Sequence, residues 1–167
     1  MNPLLWTFLF IAVFVVQALF STVLVPLNLT VVLVALFGRA AAHHYTDQHG
    51  FSGVRSEFAA AVFGTFAGLI EDLVSGSLVG SGMLSKGLTG FVSAIIFSDV
   101  LFRWTPIFGA ATMISFTLLD WLCMLGVRAF FASSPVAPGA MLQSVLLQAV
   151  MNAMIGMALR PGRLGIA

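Results

Sequence analysis

Long stretches without a single charged residue constrain this chain more than any motif does. Residues 4–25 carry no charge and are apolar over almost their whole length. At a rise of 1.5 Å per residue, a helix of about this length crosses the ~30 Å hydrocarbon core of a bilayer. Because only 8% of all residues are charged, the chain cannot cover a soluble surface with polar groups. We therefore expect an integral membrane protein.

Five more stretches of the same kind follow, separated by turn residues or short polar segments. The predicted spans are 4–25, 27–42, 58–74, 83–102, 107–131 and 140–159. Together they predict an all-α integral membrane protein, a compact bundle of six transmembrane helices that forms one domain over residues 1–167. Residues 1–3 contain no basic side chain, so we expect the first helix to be an uncleaved span and not a signal peptide.

The distribution of basic residues predicts the orientation. Six spans place both termini on the same side of the membrane. With the N-terminus in the cytoplasm, the cytoplasmic segments carry five basic residues and the opposite side carries two, as the positive-inside rule requires. The five are Arg39, Arg55, Arg103, Arg160 and Arg163, and the two are Lys86 and Arg128. We expect a multi-pass protein of the inner membrane with both termini cytoplasmic.

One sizeable polar segment, residues 43–57, interrupts the apolar pattern, and we expect it to be a cytoplasmic loop. It contains four side chains of metal-ligand type, namely His43, His44, Asp47 and His49. Their spacing matches no zinc signature, so we predict a solvated interfacial loop or a contact surface for a cytoplasmic partner, with no metal and no cofactor. No basic run indicates nucleic acid, and the single Cys123 excludes a disulfide framework.

Small residues are concentrated in the third and fourth spans and in the turn between them. Small residues that predict a helix seam lie at Ala60, Gly64, Gly68 and Gly90. The first three recur every four residues and therefore share one helix face, which lets a neighbouring backbone approach closely. Gly76 and Gly80 fall in the sequence SGSLVGSG, which predicts a tight turn. The expected structure is a helical hairpin.

Charged residues within the apolar pattern are the candidates for a specific function. Adjacent side chains on a helix point about 100° apart, so Glu71 and Asp72 do not suit a catalytic pair; one would face the bundle and the other the headgroups. Lys86, the single lysine, is expected on the same membrane side, either paired across the hairpin or extended independently to the interface.

Asp120 lies inside the fifth span, and an intramembrane acid is a candidate functional residue. No basic residue is expected at its depth, so a structural role is favoured. In that role its carboxyl group would be neutral, or hydrogen-bonded to an amide on another helix. The candidate amides are Gln17, Gln148 and Asn152.

Residues 63–91 resemble the central signature of the rod shape-determining MreD family. That signature combines a glycine-spaced helix, the pattern GLxxD, a turn with leucine and glycine, and a helix that opens with a polar residue. The matching positions are Gly68, Leu69, Asp72, Gly76, Leu78, Gly80 and Gly90. The length and the six spans also fit, and the family's fold is similar to that of the substrate-binding component of energy-coupling-factor transporters.

The resemblance implies a non-enzymatic scaffold of the bacterial elongation machinery, without catalytic residues, that maintains rod cell shape. Such proteins bind the bitopic protein MreC and connect the filament protein MreB to the peptidoglycan synthases RodA and a class B penicillin-binding protein. MreB would be reached through the segment 43–57. The small-residue faces of spans three and four would pack against a partner's helix in membrane lipid, with the polar hairpin tip fixing the register.

Two other functions remain open from the residues. A substrate-binding component of an energy-coupling-factor vitamin transporter would need convergent polar groups in an enclosed pocket. Asp120, Asn152, Gln148 and Gln17 could supply some of them, but the first span lacks the AxxxA spacing with which those components dock. The other alternative is a membrane-embedded enzyme or a proton-coupled carrier built on Asp120.

Overall fold

Six α-helices and one π-helical turn make up the regular structure of the residues described. The computed structural model describes residues 3–20, 28–49, 54–76, 79–100, 105–131 and 138–159. The helices are α1 (Pro3–Phe20), α2 (Leu29–His49), α3 (Val54–Ser75), α4 (Ser81–Ile95), α5 (Pro106–Phe131) and α6 (Pro138–Ala158). The π-helical turn, Ile96–Val100, continues α4 directly. The prediction of an all-α protein is confirmed.

One predicted segment, the loop between the second and third spans, is wrong. The segment 43–57 is not a loop along its length, because α2 continues through His49 and α3 already begins at Val54. Helical hydrogen bonds join backbone groups, so a helix can extend beyond its apolar stretch into polar sequence. The fourth span, expected at 83–102, begins two residues earlier and changes from α- to π-helix at Ile96. Residues 101–104, the end of the predicted fourth span and Arg103, lie outside those described.

Helix α2 occupies the centre of the arrangement. It contacts α1, α3, α4, α5 and α6, whereas α3 packs most extensively on α4 and α5 on α6. On one side, α1 and α3 pack on α2 through aromatic rings, with Phe37 stacked on Phe63 at 3.9 Å between centroids and Trp6 meeting Phe37 edge-on. This packing brings the end of α1, and with it Gln17, beside the start of α2.

The α3–α4 hairpin is closed by glycines that leave no room for a side chain. A Cβ atom added at any of three glycines would overlap a backbone carbonyl of the facing helix. The overlapping pairs are Gly68 with Gly82, Gly64 with Lys86, and Gly90 with Ala60. The expectation that these faces receive a partner's helix is therefore wrong, because each face is already covered by the other helix of the same chain.

The exterior of the described helices is apolar, and the interior holds polar and charged side chains beside its apolar core. Large apolar side chains are exposed along the helices, such as Phe8 (69%), Phe58 (68%) and Ile107 (81%). Buried polar or charged side chains include Thr30, Asp72, Ser85, Lys86, Thr89, Thr117, Asp120 and Asn152. Several of these hydroxyls donate to the carbonyl of the preceding helical turn, as Thr117 does to Met113 at 2.7 Å, which satisfies them without water.

Two helical segments, Arg55–Ser75 and Pro106–Phe131, are long and apolar enough to cross a membrane. Three shorter helical segments are apolar as well, namely Pro3–Leu19, Leu29–His44 and Leu142–Ala158. Both observations are based on the length and composition of the helices. The apolar segments agree with the exposed apolar surface, which water would solvate poorly.

Candidate functional site

The chain's single lysine is completely buried and lies between two carboxylates. Lys86, in the second turn of α4, has its Nζ atom 2.8 Å from Oδ1 of Asp120 and 3.4 Å from Oε2 of Glu71. The contacts join α4 to α5 and to the end of α3. The ion pair between Lys86 and Glu71, one of the two expected alternatives, is present. We call these three side chains the charge cluster.

The second oxygen of Asp120 brings in a fourth helix. Asn28 donates from Nδ2 to Oδ2 of Asp120 at 2.8 Å. The Oδ1 atom of the same asparagine accepts from the backbone N–H of Val31 at 3.2 Å, as an N-terminal cap of α2 does. Both carboxylate oxygens of Asp120 are thus hydrogen-bonded, and the start of α2 is fixed to the middle of α5.

The sequence-based account of Asp120 is corrected in two respects. A basic partner does exist at its depth, because Lys86 enters the bundle and does not extend to the interface. Two of the three expected amide partners bond elsewhere: Gln17 accepts from the Thr30 hydroxyl at 2.9 Å, and Asn152 donates to Thr117 at 2.9 Å. The third, Gln148, lines the cavity beside Asp120. A sequence signal for Asn28 was present, since an asparagine immediately before an apolar helix is a favoured cap.

Asp72 hydrogen-bonds to the backbone at the start of α4, unlike its neighbour Glu71, which contacts Lys86. Its carboxylate accepts from the backbone N–H of Gly80 at 2.8 Å and from that of Gly82 at 3.0 Å, so it caps the start of α4. The turn requires glycine at Gly80, where φ is +109°, and Gly76 also has a positive φ of +63°. Asp72 is buried and Glu71 contacts the buried Lys86, so both acids turn toward the bundle, whereas one of them was expected to face the headgroups.

The charge cluster contains more carboxylates than cations. Lys86 can compensate one negative charge, while Glu71 and Asp120 supply two when both are ionised. Oε2 of Glu71 is buried and lies 3.4 Å from the same Lys86 ammonium that contacts Asp120. An uncompensated charge in a low-dielectric interior costs several kcal/mol, so the site has a deficit that a cation or a proton would remove.

A cavity of about 200 Å³ lies directly beside the charge cluster. Glu71 and Asp120 line one part of it, and Trp121, Arg128 and Gln148 line others. The indole Nε1 of Trp121 is buried and has no hydrogen-bond partner among the described residues. The cavity lining thus contains charged groups of both signs.

The structure gathers no metal site among the residues it describes. No three side chains of the types His, Cys, Asp and Glu come together there. His43 is exposed and His44 half-buried, while the side chains of Asp47 and His49 lie outside the description. Leu78 of the resemblance segment also lies outside it.

Fold and site define a class of protein: an all-helical chain with an apolar exterior and a buried, hydrogen-bonded charge cluster. The chain matches no protein-family model, no curated protein and no solved structure. Its functional assignment therefore depends on the sequence resemblance and on the geometry described above.

Proposed function

We propose that this chain is a multi-pass protein of the inner membrane, with six spans and both termini in the cytoplasm. The exposed apolar surface and the two helices of sufficient length support this location. The interior supports it too, because polar side chains inside a membrane bundle satisfy one another and keep away from lipid. The fold would then be similar to that of the substrate-binding component of energy-coupling-factor transporters.

Within that membrane the chain would act as a non-enzymatic scaffold of the elongation machinery. It would maintain rod shape by binding MreC and by linking MreB to RodA and a class B penicillin-binding protein. The observation that supports this most is where the residues of the MreD resemblance lie. Gly68 and Gly90 close the α3–α4 seam, Asp72 caps α4, and Gly80 makes the turn. Four of the seven shared positions thus close, cap or turn this hairpin.

A rigid hairpin suits a scaffold, because a preformed surface loses little entropy when a partner binds. Since the glycine faces are occupied within the chain, partner helices would dock on the outer apolar faces. The exposed Phe66 and Leu84, one on each helix of the hairpin, are examples of what such a face offers. The polar helix ends around His43 and Arg55, both exposed, would face the cytoplasm and MreB.

The cavity is the one observation that favours the second candidate, a vitamin-binding component of an energy-coupling-factor transporter. Its polar lining and its position beside Asp120 agree with that function. Its volume of about 200 Å³ does not, because pockets that enclose drug-sized ligands measure roughly 300–1,000 Å³. The scaffold is therefore the better supported proposal.

Depletion of the protein in its native cells tests the scaffold. The chromosomal copy is placed under a repressible promoter, and rod-shaped cells depleted of the protein should become round within a few generations. A second, wild-type copy should restore the rod shape. A complementing copy with Gly68→Val, which disrupts the seam, should fail, whereas Gly126→Ala should succeed because a Cβ atom there contacts nothing within 4 Å. Cells that stay rod-shaped after full depletion would contradict the proposal.

A further inference from the structure

We propose that the cavity beside the charge cluster is a binding site for a small zwitterion. The ligand would carry a primary ammonium group at one end and an anionic group at the other. This inference goes beyond the scaffold function and does not depend on it. It follows from which charged groups line the cavity and from how much space the cavity offers.

The ammonium group of the ligand is assigned to the carboxylates. Glu71 and Asp120 both line the cavity, and Lys86 compensates only one of their charges. Asp120 has a partner on each oxygen and is 3% exposed, whereas Glu71 contacts Lys86 at the longer distance of 3.4 Å and keeps 20% of its side-chain surface exposed. A primary ammonium has three donors, so it can donate to the exposed part of the Glu71 carboxylate and supply a second positive charge beside that of Lys86.

The anionic group of the ligand is assigned to Arg128 and Trp121. Both line the same cavity, where Arg128 offers a positive charge and Trp121 an aromatic wall whose indole N–H is itself buried. Asp120 and Arg128 are eight residues apart on α5, about 12 Å along the helix axis. The cavity lining thus runs along α5 from an acidic end to a basic end, as a zwitterion requires.

The volume limits the size of the ligand. About 200 Å³ is too small for a typical drug-sized molecule but suits a group of roughly ten non-hydrogen atoms. Ethanolamine phosphate has this size and charge pattern. It occurs as a free molecule and as the headgroup of a phospholipid, and both sources present the same chemistry to the cavity.

The first experiment compares matched ligands on the full chain, purified in a zwitterion-free detergent. Binding is measured by isothermal titration calorimetry with free phosphoethanolamine, and with phosphocholine, whose quaternary nitrogen cannot donate to Glu71. Binding to the lipid form is measured by native mass spectrometry with short-chain phosphatidylethanolamine and phosphatidylcholine. We expect at least about tenfold weaker binding of the choline forms, because a charge-assisted hydrogen bond is lost.

Variants then locate the site. Glu71→Gln should weaken the ethanolamine ligand at least about tenfold, and Trp121→Phe should weaken it less. Arg128→Gln should weaken phosphoethanolamine but not ethanolamine, which has no anionic group. Glu57→Gln on the same helix and Arg55→Gln are matched controls that lie outside the cavity lining and should leave affinity unchanged. Thermal melts verify that each variant is folded.

The outcomes separate the two sources from failure. Binding of the free molecule identifies a soluble zwitterion, and binding of the lipid alone identifies a headgroup; either supports the site when Glu71→Gln or Trp121→Phe weakens it. Absence of saturable binding by both forms overturns the proposal. Binding that is weakened by none of Glu71→Gln, Trp121→Phe and Arg128→Gln overturns it as well. The scaffold function is judged by cell shape, so the two proposals can fail independently.

Discussion

The ammonium of Lys86 lies 2.8 Å from Oδ1 of Asp120, although 34 residues separate them in the chain. Neither side chain has more than 3% of its surface exposed. The pair holds α4 against α5, and through Asn28 it also holds the start of α2. Three helices that are distant in sequence therefore meet at one hydrogen-bonded centre.

Removal of this lysine should be strongly destabilising. Lys86→Met leaves Asp120 and Glu71 without their cation, and we expect the free energy of unfolding to fall by about 3–5 kcal/mol. Combining it with Asp120→Asn should cost less than the sum of the two single changes, by at least ~1 kcal/mol, because the paired charges are removed together. Unfolding in mixed micelles with increasing dodecyl sulfate measures these differences.

The exposed Arg55→Met provides the control for loss of a positive charge, and it should change stability by less than about 0.5 kcal/mol. Strict additivity of Lys86→Met and Asp120→Asn would show that the two groups do not interact in the folded protein. That result would remove the charge cluster as the centre of the fold.

The contact between Lys86 and Asp120 shows where prediction from this sequence succeeded and where it failed. Each long apolar run predicted one helix, because a helix that is surrounded by apolar groups needs a continuous apolar sequence. Helix α5, for example, begins at Pro106, within one residue of the predicted start. The ion pair was missed because Lys86, near the start of its span, was assigned to the interface. In the structure, the Asp72 cap and the glycine seam draw that helix start into the bundle.

A physical signal for the pair was nevertheless present. An isolated acid and an isolated lysine on neighbouring spans each raise the free energy of the folded protein unless they form a pair. The sequence therefore favoured an ion pair between them. The cavity could not have been found from the sequence. The cavity exists because of the distances between the end of α3, α5 and α6, and because Trp121 and Arg128 lie on the face of α5 that lines it. The apolar periodicity of the sequence determines neither these distances nor that face.

The glycine seam should tolerate no added methyl group. Gly68→Ala places a Cβ atom onto the carbonyl of Gly82, and the backbones must separate, at a cost of about 1–3 kcal/mol. Gly126→Ala adds the same methyl group where nothing lies within 4 Å and should stabilise α5 slightly. The same micelle titration compares them. Equal effects of the two changes would argue against a close α3–α4 contact.

The Asp72 cap should depend on charge as well as on shape. Asp72→Asn keeps one acceptor oxygen for the N–H groups of Gly80 and Gly82, whereas Asp72→Ala keeps none. We expect losses of roughly 1 kcal/mol for asparagine and 2 kcal/mol or more for alanine, because buried donors are left unsatisfied. Hydrogen exchange at the start of α4 should speed up in the same order; unchanged exchange in Asp72→Ala would contradict the cap.

The proposed orientation makes opposite predictions for the two ends of α3. In a Cys123→Ala background, Val79→Cys at the hairpin turn should react with a membrane-impermeant maleimide added outside the cytoplasmic membrane. Arg55→Cys should react only after the membrane is permeabilised. Both positions are exposed in the structure, so access to the reagent depends on the side of the membrane. The reversed labelling pattern would show the opposite topology and contradict the proposed orientation.

Co-purification from native cells tests the scaffold most directly. The tagged chain, expressed at its natural level and extracted in mild detergent, is compared by quantitative mass spectrometry with an equally abundant tagged membrane protein of similar size. The account predicts specific recovery of MreC together with RodA or a class B penicillin-binding protein. Recovery of ATP-binding-cassette subunits without these proteins would contradict it and would direct attention to the cavity beside Asp120.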